Sequence, residues 1–267
     1  MTQDERRKYL IEYLLKEEIR FRRQPIPSDV QSQRDLLRSL MNVRMPSPIS
    51  DEFLQIQDEY LQERNLERGI TDAADLIPVE SDQRLYIWQG DITTLKCDAI
   101  VNACNSQMLG CFSPMHSCID NFIHTYAGIQ LRLEMDEIMV KQGYEEETGR
   151  AKITSGYNLP AKYILHTVGP IIQWEVTKED EDLLSSCYRE CLQLAAETSV
   201  ESIAFCCLST GVFRFPQQRA AEIATATVKE FLNQDDRIKK VIFNVFKDED
   251  WKIYHALLSG QTVSYSQ

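Results

Sequence analysis

The chain has 267 residues, of which 43% are hydrophobic, so it is long enough for one substantial core or for a core with a small appendage. Its formal net charge of -12 argues against nonspecific nucleic-acid binding and favours small molecules or other proteins as partners. No apolar run approaches the roughly 18 residues that span a bilayer, and the charged N-terminus and eight cysteines predict a reducing, cytoplasmic location away from membranes.

The N-terminal region, residues 1–80, is predicted to form a small helical module. Apolar residues recur at helical spacing over residues 9–14, and prolines end that helix. A second helix is predicted over residues 35–41, and a third is expected to begin with Ser50 or Asp51 as its cap. We therefore expect the module to precede a separate domain at residues 81–267.

From about residue 84, short β-rich runs alternate with helical patterns. Strands are predicted at residues 84–88, 99–101, 152–154, 163–167, 202–208 and 241–246. Helices are predicted at residues 120–142, 179–198, 216–232 and 248–258. This alternation indicates an α/β fold with a mostly parallel sheet covered on both faces, whose ligands bind at the carboxyl ends of the strands.

A cluster of candidate metal ligands follows the strand at residues 99–101. Cys111, His116 and Cys118 place two thiols and an imidazole within eight residues, and these are ligands that zinc prefers. Three protein ligands leave a fourth position open, as in catalytic zinc sites. The spacing is not a common zinc-finger pattern, so two alternatives stay open: structural thiols, or a cysteine nucleophile with His116 as its base.

Five segments in order carry a resemblance to a known family: Gly90–Thr93, Ile100–Ser106, Asp120–His124, His166–Pro170 and Ser209–Phe213. With them, the chain resembles the macrodomain family of ADP-ribose-binding proteins. It is most similar to the zinc-containing branch, in which the segment 111–118 replaces a glycine run and which carries a helical N-terminal extension. The resemblance implies a three-layer α/β/α fold with a mixed six-stranded sheet.

The resemblance also implies where ADP-ribose binds. Asp91, with Ile92 beside it, is expected at the adenine, because a carboxylate accepts a hydrogen bond from its exocyclic amine. A helix-cap or turn residue is the alternative for Asp91. Asn102 and Asn105 are expected to bind ribose hydroxyls or an attacking water, although either amide could simply stabilise the turn after the strand. Asn105 and Asp120 are the expected catalytic residues, and capping of the following helix is the alternative for Asp120.

The loop after the strand at residues 202–208 is expected to bind the diphosphate. Its residues are Ser209, Thr210, Gly211, Val212 and Phe213. Gly211 lets the backbone approach a phosphate, and Phe213 could contact the distal ribose. An ordinary strand-to-helix turn is the alternative. Phe246, at the end of the last strand, either stacks on adenine or belongs to the core.

The resemblance predicts a zinc-dependent hydrolase that removes mono-ADP-ribose from modified proteins, with one Zn²⁺ per chain. It further implies a partner class, a lipoyl-carrier type protein modified by a sirtuin-like transferase. The alternative function is a non-catalytic module that binds ADP-ribose and contains a structural zinc. A cysteine hydrolase with Cys111 or Cys118 as the nucleophile is a second alternative.

Overall fold

The computed structural model describes residues 1–259, which begin with three helices. They are α1 (Gln3–Glu17), α2 (Val30–Val43) and α3 (Asp51–Arg68). Each begins at a side-chain cap, and the cap of α3 is Ser50, whose hydroxyl accepts a hydrogen bond from the Phe53 amide at 3.3 Å. The predicted helical character of this region is confirmed.

The remaining strands and helices form a three-layer α/β/α arrangement. The strands are β1 (Thr71–Asp72), β2 (Leu85–Gln89), β3 (Leu95–Lys96), β4 (Ala99–Cys104), β5 (Ala151–Ser155), β6 (Tyr163–Val168), β7 (Ser202–Phe205) and β8 (Lys240–Val245). The helices are α4 (Ile119–Ala127), α5 (Ile129–Gln142), α6 (Lys178–Glu197), α7 (Gln217–Gln234) and α8 (Asp248–Ser259).

Six strands form the main sheet in the order β2-β8-β7-β4-β6-β5. Neighbouring strands are parallel except β5 and β6, which are antiparallel, so the sheet is mixed as expected. Because β2, β8, β7 and β4 run in the same direction, their carboxyl ends lie along one edge. The segments that follow these four strands are therefore brought together.

Two hydrophobic clusters stabilise the described part of the chain. The larger lies between the sheet and its helices, and fully buried residues such as Ile100, Leu165 and Val241 belong to it. The smaller is formed by the three N-terminal helices around Leu10, Phe53 and neighbouring apolar residues, and it includes Ile129 at the start of α5. The N-terminal helices thus have a core of their own that continues onto the α/β layers.

Three local features differ from the predicted elements. The predicted helix at residues 120–142 is two helices, because Gly128 adopts φ 104° and ψ 174° between α4 and α5. A Cβ atom at Gly128 would lie 2.7 Å from Gln57 Nε2, so the close approach of α3 also requires glycine there. The predicted strand at 202–208 ends at Phe205, the last residue that pairs with β8.

The third difference is a short parallel pair, β1 with β3, in which Thr71 lies opposite Leu95. The proposed division at residue 80 stays a prediction, and residues 260–267 of the predicted second domain lie outside the described residues. Among residues 1–259, no helix combines the length and the apolar character needed to cross a membrane.

Candidate active site

The candidate metal ligands converge in the loop between β4 and α4. The ligand atoms of Cys111, His116 and Cys118 all lie within 4.8 Å of one another, and Cys111 Sγ lies 3.6 Å from His116 Nδ1. Cys118 occupies the cap position of α4 but makes no side-chain capping bond, so its sulfur is available to bind a metal. Two thiols and an imidazole at this separation fit one zinc ion.

The electrostatics of the cluster are consistent with that fit. Burial, together with the neighbouring Cys111, raises the pKa of the Cys118 thiol to about 12. The Cys118 thiol therefore resists ionisation unless a positive charge lies beside it. A cation coordinated by the sulfurs favours their thiolate forms, which are the forms that bind metal.

Asp120 belongs to a buried polar network beneath this loop. Asn102 is fully buried in β4, and its Nδ2 atom donates to Asp120 Oδ1 at 2.8 Å and lies 3.2 Å from His166 Nδ1. His166 Nε2 lies 2.8 Å from Thr154 Oγ1, which completes the chain of contacts. Asn102 therefore orients Asp120, whereas a contact between Asn102 and a ribose stays a prediction.

Burial raises the pKa of Asp120 to about 6, although the hydrogen bond from Asn102 and the charge of Arg132 favour the ionised form. Asp120 lies inside α4, whose cap position is Cys118, so the helix-cap alternative for Asp120 is wrong. His124 Nε2 lies 3.5 Å from Asp120 Oδ1, and burial lowers the pKa of this histidine. A neutral imidazole thus lies beside a carboxyl group that titrates near neutral pH.

Asn105 shapes the turn between β4 and the metal-binding loop. Its Oδ1 atom accepts a hydrogen bond from the Gln107 amide at 3.0 Å, and its Nδ2 atom donates to the Gly110 carbonyl at 3.2 Å. Gly110 adopts φ 83°, and a Cβ atom there would lie 2.8 Å from the His124 ring. Asn105 is partly exposed, so its amide stabilises this turn at the surface of the site.

Asp91 follows β2 and is paired with an arginine from the N-terminal helices. Its Oδ1 atom accepts hydrogen bonds from the Thr93 amide at 3.0 Å and the Thr93 hydroxyl at 2.6 Å. Arg68 Nη2 donates to Asp91 Oδ2, and the Arg68 guanidinium lies 3.5 Å from the centroid of the Tyr126 ring. Sequence reasoning missed Arg68, because nothing in its local pattern indicates this contact.

The side chain of Ile92 lies in the core, where it is only 1% exposed. A contact between Ile92 and adenine therefore stays a prediction. Phe246 follows β8 directly, and its side chain is 75% exposed, so it lies outside the core. The exposed ring of Phe246 leaves its aromatic face accessible, as stacking on a base requires.

The loop after β7 presents backbone at the same edge of the sheet. Ser209 adopts φ 62°, and Phe215 N donates to its carbonyl at 3.0 Å, which turns the chain back toward α7. Thr210 Oγ1 donates to the Cys207 carbonyl at 3.0 Å, so this hydroxyl fixes the turn. A Cβ atom at Gly211 would meet no atom within 4 Å, which leaves space beside the backbone.

Val212 and Phe213 complete this loop. Val212 is 65% exposed and Phe213 is partly exposed, so neither side chain is committed to the core. The carbonyl of Phe213 accepts a hydrogen bond from Ile172 N at 2.8 Å, which ties the loop to the segment after β6. The residues predicted to bind the diphosphate therefore lie on a loop that the neighbouring strands and this bond hold in place.

Comparisons with known proteins identify several relatives of this chain. Residues 101–224 match the family model described as "Macro domain". A "Protein-ADP-ribose hydrolase" of Treponema medium is 57% identical over 261 residues, which cover 97% of this chain and 100% of the relative. A protein of the same name from Staphylococcus aureus is 54% identical over 230 residues, which cover 86% of each chain.

A solved structure, described as the Trypanosoma brucei macrodomain in complex with ADP-ribose, has a TM-score of 0.63 and is 30% identical to this chain. The match covers 82% of this chain and 94% of that one. The similarity therefore extends across most of the described α/β layers and includes a structure with the expected nucleotide bound.

Proposed function

Because the chain belongs to the macrodomain family, we propose that it is a zinc-dependent hydrolase that removes mono-ADP-ribose from modified protein side chains. The observation that carries this proposal is the convergence of Cys111, His116 and Cys118 at the strand ends, beside Asn105 and Asp120. The hydrolase names of the relatives that match nearly the whole chain support the same reaction.

The ligand would extend along the carboxyl ends of β2, β8, β7 and β4. Asp91 and the exposed ring of Phe246 would hold adenine at one end, after β2 and β8. The backbone beside Gly211 would bind the diphosphate, because the space next to it can admit phosphate oxygens. The distal ribose would then reach Asn105, whose turn leads into the metal-binding loop.

Within the reactive part of the site, the chain's own residues position the reactants and handle protons. Cys111, His116 and Cys118 would hold a zinc ion, which would supply Lewis-acid chemistry when bound. Asp120, oriented by Asn102, is suited to accept a proton from water, because its pKa of about 6 is close to neutral pH. Addition of water then releases ADP-ribose and the unmodified side chain.

Two alternatives make different predictions. In a reader module with structural zinc, ADP-ribose would bind but no linkage would be cleaved. In a cysteine hydrolase, one thiol would need a lowered pKa, whereas burial raises the pKa of Cys118 to about 12. The geometry of three ligand atoms within 4.8 Å also favours metal binding over a single nucleophile.

The modified substrate and its location belong to the same proposal. We infer a lipoyl-carrier type protein, modified by a sirtuin-like transferase, as the substrate that the enzyme demodifies. We also infer a cytoplasmic site of action, which is supported by eight cysteines that are all free thiols.

The test compares zinc-loaded, chelator-stripped and zinc-reloaded protein for release of ADP-ribose from a mono-ADP-ribosylated protein. Stripping is expected to lower the rate at least about 100-fold, and reloading is expected to restore it, because Lewis-acid stabilisation contributes several kcal/mol. Cys111→Ser should behave like stripped protein, whereas Ser117→Ala, an exposed position in the same loop, should retain activity. Tight ADP-ribose binding without release from any linkage would support the reader module instead.

A further inference from the structure

The metal-binding loop, residues 111–118, receives little support from hydrophobic packing. Ser113, Pro114, Met115 and Ser117 are all exposed. Its conformation must therefore come from hydrogen bonds to its backbone. One of those bonds comes from outside the α/β layers, and its donor is Arg38 of helix α2.

Arg38 contacts the backbone of a metal-ligand candidate. Its Nη2 atom donates to the His116 carbonyl at 2.7 Å. The same guanidinium donates to Asn121 Oδ1 through Nε at 3.0 Å and through Nη2 at 2.6 Å. One side chain of the N-terminal helices therefore links the loop to the first turn of α4.

Asn121, which accepts from Arg38, in turn binds the backbone at the other end of the loop. It is fully buried, and its Nδ2 atom donates to the Ser113 carbonyl at 2.8 Å and the Cys111 carbonyl at 3.5 Å. A guanidinium can only donate, so Arg38 fixes which end of the Asn121 amide faces the loop. Arg38 and Asn121 together bind three carbonyls, two of which belong to ligand residues.

The position of Arg38 is itself fixed by packing. Its guanidinium lies 4.1 Å from the centroid of the Phe122 ring. One turn further along α2, Asn42 Nδ2 donates to Thr125 Oγ1 of α4 at 2.7 Å in a buried contact. Helix α2 is thus held against α4. Because the Arg38 guanidinium is already fixed in place, it binds its acceptors without a large loss of side-chain entropy.

A second arginine reaches the loop from α5. Arg132 Nε donates to the Leu109 carbonyl at 2.7 Å, and its guanidinium lies 4.4 Å from the centroid of the Phe112 ring. Arg132 Nη1 also donates to the Arg44 carbonyl, just after α2, at 2.6 Å. The Arg132 side chain therefore contacts both the segment that leads into the loop and the residue that follows α2.

We propose that the N-terminal helices form part of the metal centre, with Arg38 as the positioning residue that preorganises the loop for a divalent metal. The proposal depends on the proposed function only for the choice of zinc as the metal. It assigns the helical extension a role in metal affinity. The physical basis is that groups which orient metal ligands typically change metal affinity about 10- to 100-fold when they are removed.

The test measures Zn²⁺ affinity by competition with a chromophoric chelator, in wild-type protein and in Arg38→Met. We expect the variant to bind Zn²⁺ about 10- to 100-fold more weakly. Arg34→Met is the matched control, because Arg34 lies one turn earlier on α2 and pairs with Glu67 of α3 at 3.5 Å. The control should bind Zn²⁺ like the wild type.

A spectroscopic measurement separates positioning from general stability. Co²⁺ bound to two thiolates and an imidazole absorbs in the visible range with a spectrum sensitive to geometry. We expect Arg38→Met to alter this spectrum, with far-ultraviolet circular dichroism of the metal-free protein unchanged. Wild-type Zn²⁺ affinity and Co²⁺ spectrum in Arg38→Met would overturn the proposal, as would equal weakening in Arg34→Met.

A milder variant keeps the test informative if Arg38→Met fails to fold. Lys at position 38 keeps the charge and can reach one acceptor, but it cannot span both Asn121 and His116. Arg38→Lys should therefore weaken Zn²⁺ binding by an intermediate factor, and unchanged affinity would overturn the proposal. Hydrolysis is measured separately, so a wild type that binds Zn²⁺ without cleaving substrate refutes the proposed function and leaves this test intact.

Discussion

Asp120 shows how a residue's chemistry depends on neighbours that are distant in the sequence. Its carboxyl group is buried, and it accepts a hydrogen bond from Asn102, which itself lies beside His166 of the adjacent strand. Burial raises the pKa of Asp120 to about 6, whereas an exposed cap residue would titrate near 4. The same aspartate can therefore be ionised at neutral pH and still accept a proton.

Arg68 provides a prediction at the residue scale. Replacing it by Met should weaken ADP-ribose binding about tenfold, because Asp91 loses the charged partner that orients its carboxylate. Isothermal titration calorimetry should show little change for ribose 5-phosphate, which lacks adenine. Arg64→Met is the control, since Arg64 pairs with Glu67 on its own helix. An equal loss for both ligands would contradict an adenine-specific role.

At the scale of elements, the loops after the strands are shaped by a few glycines with different surroundings. A Cβ atom at Gly169 would lie 2.0 Å from Ser209 Oγ, so that glycine permits close packing between two loops. A Cβ atom at Gly211 would meet no atom within 4 Å. The first glycine is therefore in contact with a hydroxyl that would have to move to admit a side chain, and the second leaves space that a ligand can use.

This contrast predicts opposite outcomes for two alanine substitutions. Gly211→Ala should change the free energy of unfolding by less than about 0.5 kcal/mol, yet it should weaken ADP-ribose binding about tenfold by filling space beside the phosphate-binding backbone. Gly169→Ala should lower the free energy of unfolding by about 1 kcal/mol, because the buried Ser209 hydroxyl must rotate to admit the added methyl group. Urea unfolding and calorimetry measure both quantities, and unchanged affinity in Gly211→Ala would place the diphosphate elsewhere.

The predicted elements were most accurate where local pattern decides structure. The three N-terminal helices and all six strands of the main sheet were anticipated, because apolar spacing and caps act over a few residues. The break at Gly128 was missed, since it depends on the approach of Gln57 from another helix. The β1–β3 pair was missed because two-residue strands carry no periodic signal.

At the scale of the whole molecule, buried histidines couple stability to pH. His166 is fully buried, and burial lowers its pKa to about 3, below the value of about 6.5 in an unfolded chain. Below pH 6.5 the unfolded state therefore binds a proton that the folded state does not. Stability is lost as the pH falls from 6.5 toward 3, and it is fully present above 6.5.

The expected size of this effect follows from linkage. Between pH 7.5 and 5.0, wild-type protein should lose about 2 kcal/mol more of its free energy of unfolding than His166→Gln does. Urea unfolding at both pH values measures the difference, with chelator in every sample so that metal release does not contribute. The comparison cancels the titration of other groups. Parallel losses in the two proteins would show that folding does not lower the pKa of His166.

The sequence alone determined the features that depend on residues close together in the chain. The three metal-ligand candidates lie within eight residues, so a single loop can bring them together without information from the rest of the fold. Alternation of strands and helices likewise indicated the layered sheet and the edge at which its ligands bind. These inferences rest on local chemistry and periodicity, both of which can be read from a sequence.

Only the tertiary structure decided which side chains support those residues. Arg38 lies 83 positions before Asn121, and Arg68 lies 23 before Asp91, yet both pairs are in direct contact. Asn102 is turned into the buried network, because its position in a central strand directs its side chain beneath the loop. Such partners are selected by the packing of helices and strands against each other, and packing between distant segments leaves no fixed spacing in the sequence.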